Sequence, residues 1–272
     1  MFSSLAKYYR IAFEDWADPR VENFLFMKSP FPVIAILVFY MYFVFKLGPK
    51  LMKNRRPFKI NRILVIYNAI QIILCIWLLY RNATTVLWKH NLLCQPIDYS
   101  KSELGLTSVN MVWSYFMMKI IDLLDTVFFV LRKKYSQVTF LHVYHHAGMC
   151  LLGWMGTKYV AGGHGCLLGL INTTVHVIMY FYYLLTAWDK KYKDNIWWKK
   201  HITQLQIVQF LVVTVHLMLV LFQPTCDYPR WIVYSLLPQN ALMLILFSNF
   251  YIKAYIIKEN RNPSNNVDRK TN

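Results

Sequence analysis

Three histidines lie within five consecutive residues of this 272-residue chain, in the stretch LHVYHH. His142, His145 and His146 have the i, i+3, i+4 spacing that places side chains on one face of a helix. An imidazole can act as a nucleophile, as a general acid or base, or as a metal ligand. Because ionisable side chains are costly at membrane depth, three of them facing one way in an apolar stretch predict a functional site.

A second polar group occurs in the stretch KIIDLLDT, where Lys119, Asp122 and Asp125 recur at i, i+3 and i+6. This spacing predicts that the three side chains share one helical face. Lys119 and Asp122 could form a buried ion pair that only fixes helix packing, or they could take part in chemistry. Asp125 has no obvious partner within the same helix.

Polar side chains also interrupt two later apolar stretches. Asn172 and His176 are spaced i, i+4, and Gln206 and Gln209 share a face of the stretch TQLQIVQF that also reaches His216. The amides could bind a substrate, or they could serve as hydrogen-bonding contacts between packed helices.

Apolar helices are the elements that must position these groups. Hydrophobic residues make up 57% of the chain, more than one ordinary soluble core can bury. Runs long enough to cross roughly 30 Å of hydrocarbon predict an all-α membrane protein with about seven transmembrane helices. The predicted spans cover residues 31–47, 62–80, 109–131, 138–157, 164–187, 202–222 and 231–257.

The charge distribution predicts the orientation of these helices. The formal net charge is +17, and most Lys and Arg residues fall in three connecting segments and the tail. Since basic residues near span ends resist translocation, we expect an N-terminal segment outside the cytosol (residues 1–30), a seven-helix transmembrane domain (residues 31–257) and a cytosolic polar tail (residues 258–272). The charge therefore indicates a cytosolic basic rim and no nucleic-acid partner, for which the sequence has no motif.

The polar groups are expected at similar depths. Counted from the predicted cytosolic ends, a rise of roughly 1.5 Å per residue places five of them between about 10 and 18 Å into the membrane: Asp125, His145, Gln209, Asp122 and His176. Such a layer is expected of a water-excluded reaction chamber that opens to the cytosol. The residues beyond it are aliphatic and aromatic, so we expect a substrate with an apolar part.

The cysteines divide between spans and loops. Cys75, Cys150 and Cys166 lie in predicted spans, whereas Cys94 and Cys226 lie in loops outside the cytosol. A disulfide would persist only in those loops. From these residues alone, a Cys94–Cys226 bond and two unrelated cysteines are both open.

Five motifs occur in a fixed order: KIIDLLDTVFFVLRKK, FLHVYHH, NTTVHVIMYFYY, TQLQIVQF and NFYIKAY. Over residues 20–257 the chain resembles the fatty-acid elongase (ELO) family, which extends very-long-chain acyl-CoAs in the endoplasmic reticulum. Asp122 departs from the family pattern, which usually has Glu there; the charge is kept and the side chain is one methylene shorter. The resemblance implies a Cys94–Cys226 disulfide and a barrel of two inverted three-helix units, formed by helices 2–7 around a substrate tunnel.

The activity that the resemblance implies is acyl transfer by a very-long-chain 3-oxoacyl-CoA synthase. Such an enzyme condenses a long-chain or very-long-chain acyl-CoA with malonyl-CoA, giving 3-oxoacyl-CoA, CO2 and CoA in the first step of the elongation cycle. An acyl-imidazole intermediate splits this condensation into two easier steps. By resemblance, His145 accepts the acyl group, and His176 acts on the malonyl unit or as an acid/base. No bound cofactor and no metal are implied.

Supporting roles follow from the same resemblance. The residues expected to orient the imidazoles and offset developing charge are His142, His146, Asp122, Asp125 and Asn172. The residues expected to bind substrate are Lys119, Gln206, Gln209, Arg132, Lys133 and Lys199. The last three would contact the CoA phosphates, although the ordinary excess of cytosolic positive charge explains them equally well.

The resemblance also implies a multi-pass location in the endoplasmic reticulum membrane, with the N-terminus lumenal and the C-terminus cytosolic. The partners that it implies are acyl-CoA, malonyl-CoA and the lipid bilayer. It also allows a homo-oligomer and contact with other enzymes of the elongation cycle.

Three alternatives stay open. The HxxHH pattern with nearby carboxylates could ligate iron in a metal-dependent membrane lipid oxygenase, although a histidine-rich di-iron site would use several such boxes and this chain has one. A seven-span transporter or receptor would use the polar layer as a binding site without chemistry. Within the elongase interpretation, the histidines could act only as general bases in a direct reaction between both substrates.

Overall fold

The computed structural model describes residues 2–85, 87–192 and 196–257, and this part of the chain consists of helices and their connections, without a strand. The predicted polar tail, residues 258–272, lies outside the described residues. The α-helices are α1 (Phe2–Arg10), α2 (Phe31–Tyr42), α3 (Gly48–Met52), α4 (Asn61–Thr85), α5 (Glu103–Asp122), α6 (Leu124–Leu131), α7 (Phe140–Tyr159), α8 (Cys166–Trp188), α9 (Ile196–Phe222) and α10 (Arg230–Tyr251). π-Helical turns at Phe43–Leu47 and Ile252–Ile257 join α2 to α3 and extend α10.

Five helical segments of the described chain are long and apolar enough to cross a membrane: Phe31–Met52, Asn61–Thr84, Gly163–Trp188, Trp197–Phe222 and Arg230–Ile257. They coincide with five of the seven predicted spans. The other two predicted spans, residues 109–131 and 138–157, are helical except at Leu123 and at residues 138–139, and they carry several ionisable side chains. The all-helical membrane fold is therefore confirmed, whereas seven spans and a closed barrel stay predictions.

The third predicted span is interrupted at the candidate site. α5 ends at Asp122 and α6 begins at Leu124. Between them, the backbone N–H of Leu123 donates to the carbonyl oxygen of Ile120, three residues earlier, at 3.2 Å. Such a tight turn within a helix often marks a functional position, and here it separates Asp122 from Asp125.

The long helices pack in pairs, with α4 along α8, α9 along α10, and α5 along α7. The contact between α4 and α8 buries Cys75 and Tyr180 completely. The opposite face of α4 exposes Ile66 and Ile73, as expected of a surface that faces lipid. α4 therefore has an outer apolar face and an inner face that reaches the candidate site.

The segment before α2 is docked on the ends of α5 and α7. Arg20 and Asp18 form a buried ion pair at 2.6 Å, and Arg20 also donates to the carbonyl oxygen of Asp98. Lys158, which is 3% exposed, donates to the carbonyl oxygen of Met27 at 2.7 Å. Buried charges require such partners, so these contacts fix residues 18–27 against the bundle.

A disulfide between Cys94 and Cys226 joins the loop after α4 to the loop between α9 and α10, as the family resemblance implies. The free cysteines of the described chain are all buried: Cys75, Cys150 and Cys166. Gly163 lies against the disulfide loop with a φ of +62°, and a Cβ there would meet the carbonyl oxygen of Gln95 at 2.9 Å. Only glycine fits this connection between α7 and α8.

Candidate active site

α5 and α8 bring a lysine, a carboxylate and a histidine together. Lys119 Nζ lies 3.0 Å from Asp122 Oδ2, and both side chains are buried. His176 Nδ1 lies 3.5 Å from Lys119 Nζ and 3.7 Å from Asp122 Oδ2. Because an ammonium group only donates hydrogen bonds, His176 Nδ1 is the accepting nitrogen and Nε2 carries the hydrogen of the neutral ring. Three residues predicted from two separate motifs thus form one cluster.

Two further side chains, which the sequence analysis did not select, complete the surroundings of Asp122. Gln71 Nε2 donates to Asp122 Oδ1 at 2.6 Å, and the Tyr180 hydroxyl lies 2.9 Å from the same oxygen. Tyr180 also lies 3.0 Å from Asp125 Oδ2, which gives Asp125 the partner that its own helix lacks. The sequence does indicate Gln71, because this polar residue interrupts the apolar stretch NAIQIILC. It does not single out Tyr180, since the surrounding motif MYFYY contains several tyrosines.

His142 and His146 occupy one side of the histidine box. His142 Nε2 lies 2.9 Å from Thr126 Oγ1, and that oxygen lies 2.7 Å from the hydroxyl of Tyr40 on α2. The ring centroids of His142 and His146 are 4.3 Å apart. Hydrogen bonding from α2 and α6 therefore fixes the orientation of His142, which in turn packs against His146.

His145 has different surroundings. Its ring packs at right angles against Phe247, with the centroids 5.9 Å apart, and against Phe210 at 6.5 Å. Its Nδ1 atom is buried and has no hydrogen-bond partner among the described residues. Whereas His176 is held by a lysine and a carboxylate, His145 keeps this ring nitrogen free.

A cavity of about 220 Å³ lies beside His145. The polar side chains that line it include His145, Tyr115, Asn172, Gln209, Gln239 and Asn240. Aliphatic and aromatic side chains form most of the remaining wall, which extends to Tyr228 and Trp231 near the disulfide loop. An apolar cavity with a few polar groups suits a ligand with a long hydrocarbon part. His176 is not among the lining residues.

The predicted amide residues separate into two groups. Asn172 lines the cavity and accepts a hydrogen bond from the Tyr115 hydroxyl at 2.8 Å. Gln209 also lines the cavity, and its buried Oε1 has no partner in the described chain. Gln206 does not line it and instead lies 3.7 Å from Met179 Sδ. The structure therefore brings Asn172 and Gln209 to the cavity, and Gln206 to a helix contact.

The predicted phosphate-binding residues lie at helix ends. Arg132 follows α6, and Lys133 adopts a φ of +54° and donates to the carbonyl oxygen of Lys53 at 3.2 Å. Lys199 lies in the first turn of α9. No hydrogen bond or ion pair within the described residues joins these three to the histidines. Their role in CoA binding stays a prediction.

The metal alternative has no matching geometry in the part of the chain that the structure describes. No group of three or more His, Cys, Asp or Glu side chains there is arranged to hold a metal ion. In the HxxHH box, the Nε2 atom of His142 is engaged by Thr126.

The fold and the site define a class: an all-helical, multi-pass membrane protein with a half-buried histidine at the wall of an apolar cavity. Comparison with known sequences assigns the family. A sequence model of the ELO family, described as the GNS1/SUR4 family, matches residues 25–263, and the chain belongs to this family. The resemblance seen in the five motifs is thereby confirmed.

The chain is also similar to individual curated proteins. It is 44% identical over 260 residues to very long chain fatty acid elongase 7 of Rattus norvegicus, covering 93% of this chain and 92% of the relative. It is 41% identical over 254 residues to very long chain fatty acid elongase 7 of Drosophila melanogaster, covering 93% and 77%. With very long chain fatty acid elongase 4 of Homo sapiens, it shares 42% identity over 250 residues, covering 91% and 78%.

Proposed function

We propose that the protein is a fatty-acid elongase, an acyltransferase that condenses a long-chain or very-long-chain acyl-CoA with malonyl-CoA. The products are 3-oxoacyl-CoA, CO2 and CoA. The observation that carries this proposal is the position of His145, a half-buried imidazole at the wall of an apolar cavity, whose buried Nδ1 atom has no hydrogen-bond partner in the described chain. This is the arrangement that a nucleophile needs to receive an acyl chain and to keep the acyl-imidazole away from water.

The contrast between two histidines supports separate roles for them. Because Nδ1 of His176 accepts from Lys119 at 3.5 Å, the hydrogen of the neutral ring lies on Nε2, where it can be donated to a reacting group. Asp122, whose Oδ2 lies 3.7 Å from Nδ1, compensates the charge of Lys119. The Nδ1 atom of His145 has no partner. We therefore assign acyl transfer to His145, and acid/base chemistry on the malonyl unit to His176.

The neighbouring side chains would position these imidazoles. His142 is anchored through Thr126 and packs on His146, so both would limit the movement of the helical turn that carries His145. Asn172 lies one helical turn before His176 and reaches the cavity, where its amide could hydrogen-bond the thioester. The Lys119–Asp122 pair would offset charge that develops during decarboxylation.

The remaining assignments follow from the family. We propose that helices 2–7 form a barrel, that the catalytic domain spans residues 31–257, and that the chain resides in the endoplasmic reticulum membrane with a lumenal segment 1–30 and a cytosolic tail 258–272. Gln209, which lines the cavity, would contact substrate. Arg132, Lys133 and Lys199 would attract the CoA phosphates. Other enzymes of the elongation cycle and a second copy of the chain are proposed partners, and no resident cofactor or metal is required.

The test is product formation by the purified protein in lipid nanodiscs. With a long-chain acyl-CoA and labelled malonyl-CoA, we expect 3-oxoacyl-CoA, CO2 and free CoA in equal amounts. The His145→Ala and His176→Ala variants should each lose at least about 100-fold of kcat, the scale of positioned acid/base or nucleophilic groups.

The matched control is His201→Ala, which removes an exposed histidine of α9. This variant should keep the wild-type rate. A folded wild-type protein that consumes no malonyl-CoA would overturn the proposed function. Stoichiometric iron in the active preparation, with activity lost on chelation, would favour the oxygenase alternative instead.

A further inference from the structure

The hydroxyl of Tyr180 lies between two carboxyl groups. Its oxygen is 2.9 Å from Asp122 Oδ1 and 3.0 Å from Asp125 Oδ2, and Gln71 Nε2 donates to it at 3.2 Å. The Tyr180 side chain is completely buried. Both carboxyl contacts have hydrogen-bond length, although a tyrosine hydroxyl has only one hydrogen to donate.

Counting hydrogens assigns the protonation of this cluster. Asp122 already accepts from Lys119 and Gln71, so it is the carboxylate, and Tyr180 donates to it. The contact between Tyr180 and Asp125 is then a hydrogen bond only if the Asp125 carboxyl carries a proton and donates it to the Tyr180 oxygen. Two adjacent carboxylates do not both ionise readily in a buried site. With Asp125 neutral, the cluster has one cation and one anion, as membrane depth favours.

The contacts continue from Asp122 to the second proposed histidine. Asp122 Oδ2 lies 3.0 Å from Lys119 Nζ, which lies 3.5 Å from His176 Nδ1. Together with the two contacts of Tyr180, these distances form one connected series, which we call the Asp125–His176 chain. Asp125 is half-buried, whereas the other members are at most 7% exposed. Asp125 is therefore the most accessible member of this chain, and we place proton uptake from water there.

We propose that the Asp125–His176 chain, with Tyr180 as its central member, is a proton relay for the condensation reaction. The inference rests on the proposed function. Tyr180, Asp122 and Lys119 are positioning residues in this scheme, because they act through His176. Asp125 stores the proton that the reaction consumes.

The proton balance of the condensation requires such a source. The malonyl C–C bond breaks and releases neutral CO2, and its electron pair forms the new C–C bond to the acyl carbon. In the acylation step CoA leaves the acyl carbon and takes the hydrogen of the His145 imidazole. In the condensation step the bond from that carbon to His145 breaks, and one proton is needed to restore the departing imidazole. In the relay, His176 Nε2 gives a proton to the leaving group while Nδ1 receives one from Lys119.

The rest of the relay restores these groups. Lys119, Asp122 and Tyr180 each gain one proton and give one up, so only Asp125 ends with one proton fewer. His176 ends with its hydrogen on Nδ1, and rotation of its ring returns this hydrogen to the Nε2 position. Water then protonates Asp125 again. Every hop follows a contact between 2.9 and 3.5 Å.

Several titratable groups surround Asp125, and they lie on α2, α4, α5 and α8. They are Tyr40 on α2, Tyr67 on α4, Lys119 and Asp122 on α5, and Tyr180 and Tyr183 on α8. Among these groups, only Tyr180 lies within 3.0 Å of oxygen atoms of both carboxyl groups. It is therefore the member whose removal should break the relay without removing a charge.

The decisive variant is Asp125→Asn. An asparagine amide has the shape of a protonated carboxyl and still donates to the Tyr180 oxygen, but it cannot give up a proton. A purely structural role for Asp125 therefore predicts nearly wild-type turnover. The relay predicts a kcat about 100-fold lower, with unchanged KM for both CoA substrates and a larger solvent deuterium isotope effect on kcat.

Two further variants complete the test. Tyr180→Phe should show the same loss of kcat, and the double variant Asp125→Asn/Tyr180→Phe should be no slower than either single variant, because both break one path. The control is Tyr182→Phe, a buried tyrosine of the same helix whose ring stacks on Trp198, which should keep the wild-type kcat and isotope effect. If Asp125→Asn does not fold, the same criteria apply to Tyr180→Phe.

The outcomes separate the relay from the proposed function. If the folded wild-type protein forms no 3-oxoacyl-CoA, the proposed function and the relay are both overturned. If the wild type is active and Asp125→Asn keeps kcat within about twofold, the relay alone is overturned. Multiplicative losses in the double variant also contradict it.

Discussion

Replacing one member of the Lys119–Asp122 pair should destabilise the protein strongly, and replacing both should restore most of the loss. The two side chains are 3% and 2% exposed and their charged atoms lie 3.0 Å apart. Removing one partner of a buried pair typically costs about 3–5 kcal/mol, because the other charge is left without compensation. At about 2–4 °C per kcal/mol for a chain of this size, Lys119→Met or Asp122→Asn should lower Tm by about 6–20 °C.

The double variant separates charge pairing from general disruption. In Lys119→Met/Asp122→Asn no charge is left uncompensated, and the asparagine oxygen still accepts from Gln71, so we expect a Tm within about 5 °C of wild type. A thiol-reactive dye can report unfolding, since Cys75 and two further free cysteines are buried. Additive losses in the double variant would refute the ion-pair reasoning. All three variants should lack elongase activity, because the chemistry needs both groups.

Three further predictions concern regions away from this cluster. Cys94→Ser removes the disulfide, which joins residues 132 positions apart in sequence. We expect the free energy of unfolding to fall by about 2–5 kcal/mol. The Tm of the variant should be lower than that of the wild type, and reducing agent should not lower it further. Gly156 lines the cavity, and an added Cβ there would meet nothing within 4 Å. The Gly156→Leu variant should therefore fold normally and prefer shorter acyl-CoAs, and Gly156→Ala should show an intermediate chain-length preference. An unchanged chain-length profile would contradict the placement of the acyl chain. Hydrogen bonds from Ser100 and Ser102 hold the pKa of Asp98 below its ordinary value, so its carboxylate stabilises the fold above about pH 4 and loses this effect as pH falls. Asp98→Asn should therefore lower Tm at neutral pH and weaken the decrease of Tm in acid; an identical acid dependence in the variant would exclude this role.

Helix positions and site residues within one helix follow from the sequence. The apolar runs predict the long helices, and the i, i+3, i+4 spacing predicts that His142, His145 and His146 share a face, because both depend on local periodicity. The ordered motifs also predict the family. These features need no knowledge of which helices are neighbours.

Contacts between helices do not follow in the same way. Periodicity shows that His216 shares a face with Gln209, but its ring stacks at 3.6 Å on His164, and each ring donates to the other residue's carbonyl oxygen. Likewise, nothing in α8 alone indicates that Tyr180 meets two carboxyl groups of α5 and α6. No proline or glycine at Leu123 predicts the interruption of the helix there. Such pairings depend on the tertiary packing of faces that are distant in sequence.

The most direct test of covalent catalysis by His145 uses a single substrate. The purified protein is incubated with a long-chain acyl-CoA in the absence of malonyl-CoA, and its intact mass and peptide masses are recorded. We predict release of one CoA per protein and an acyl adduct on the peptide that contains His145, absent from the His145→Ala variant and present in His201→Ala. Release of CoA only when malonyl-CoA is added, with no adduct on any histidine, would contradict the nucleophilic role of His145.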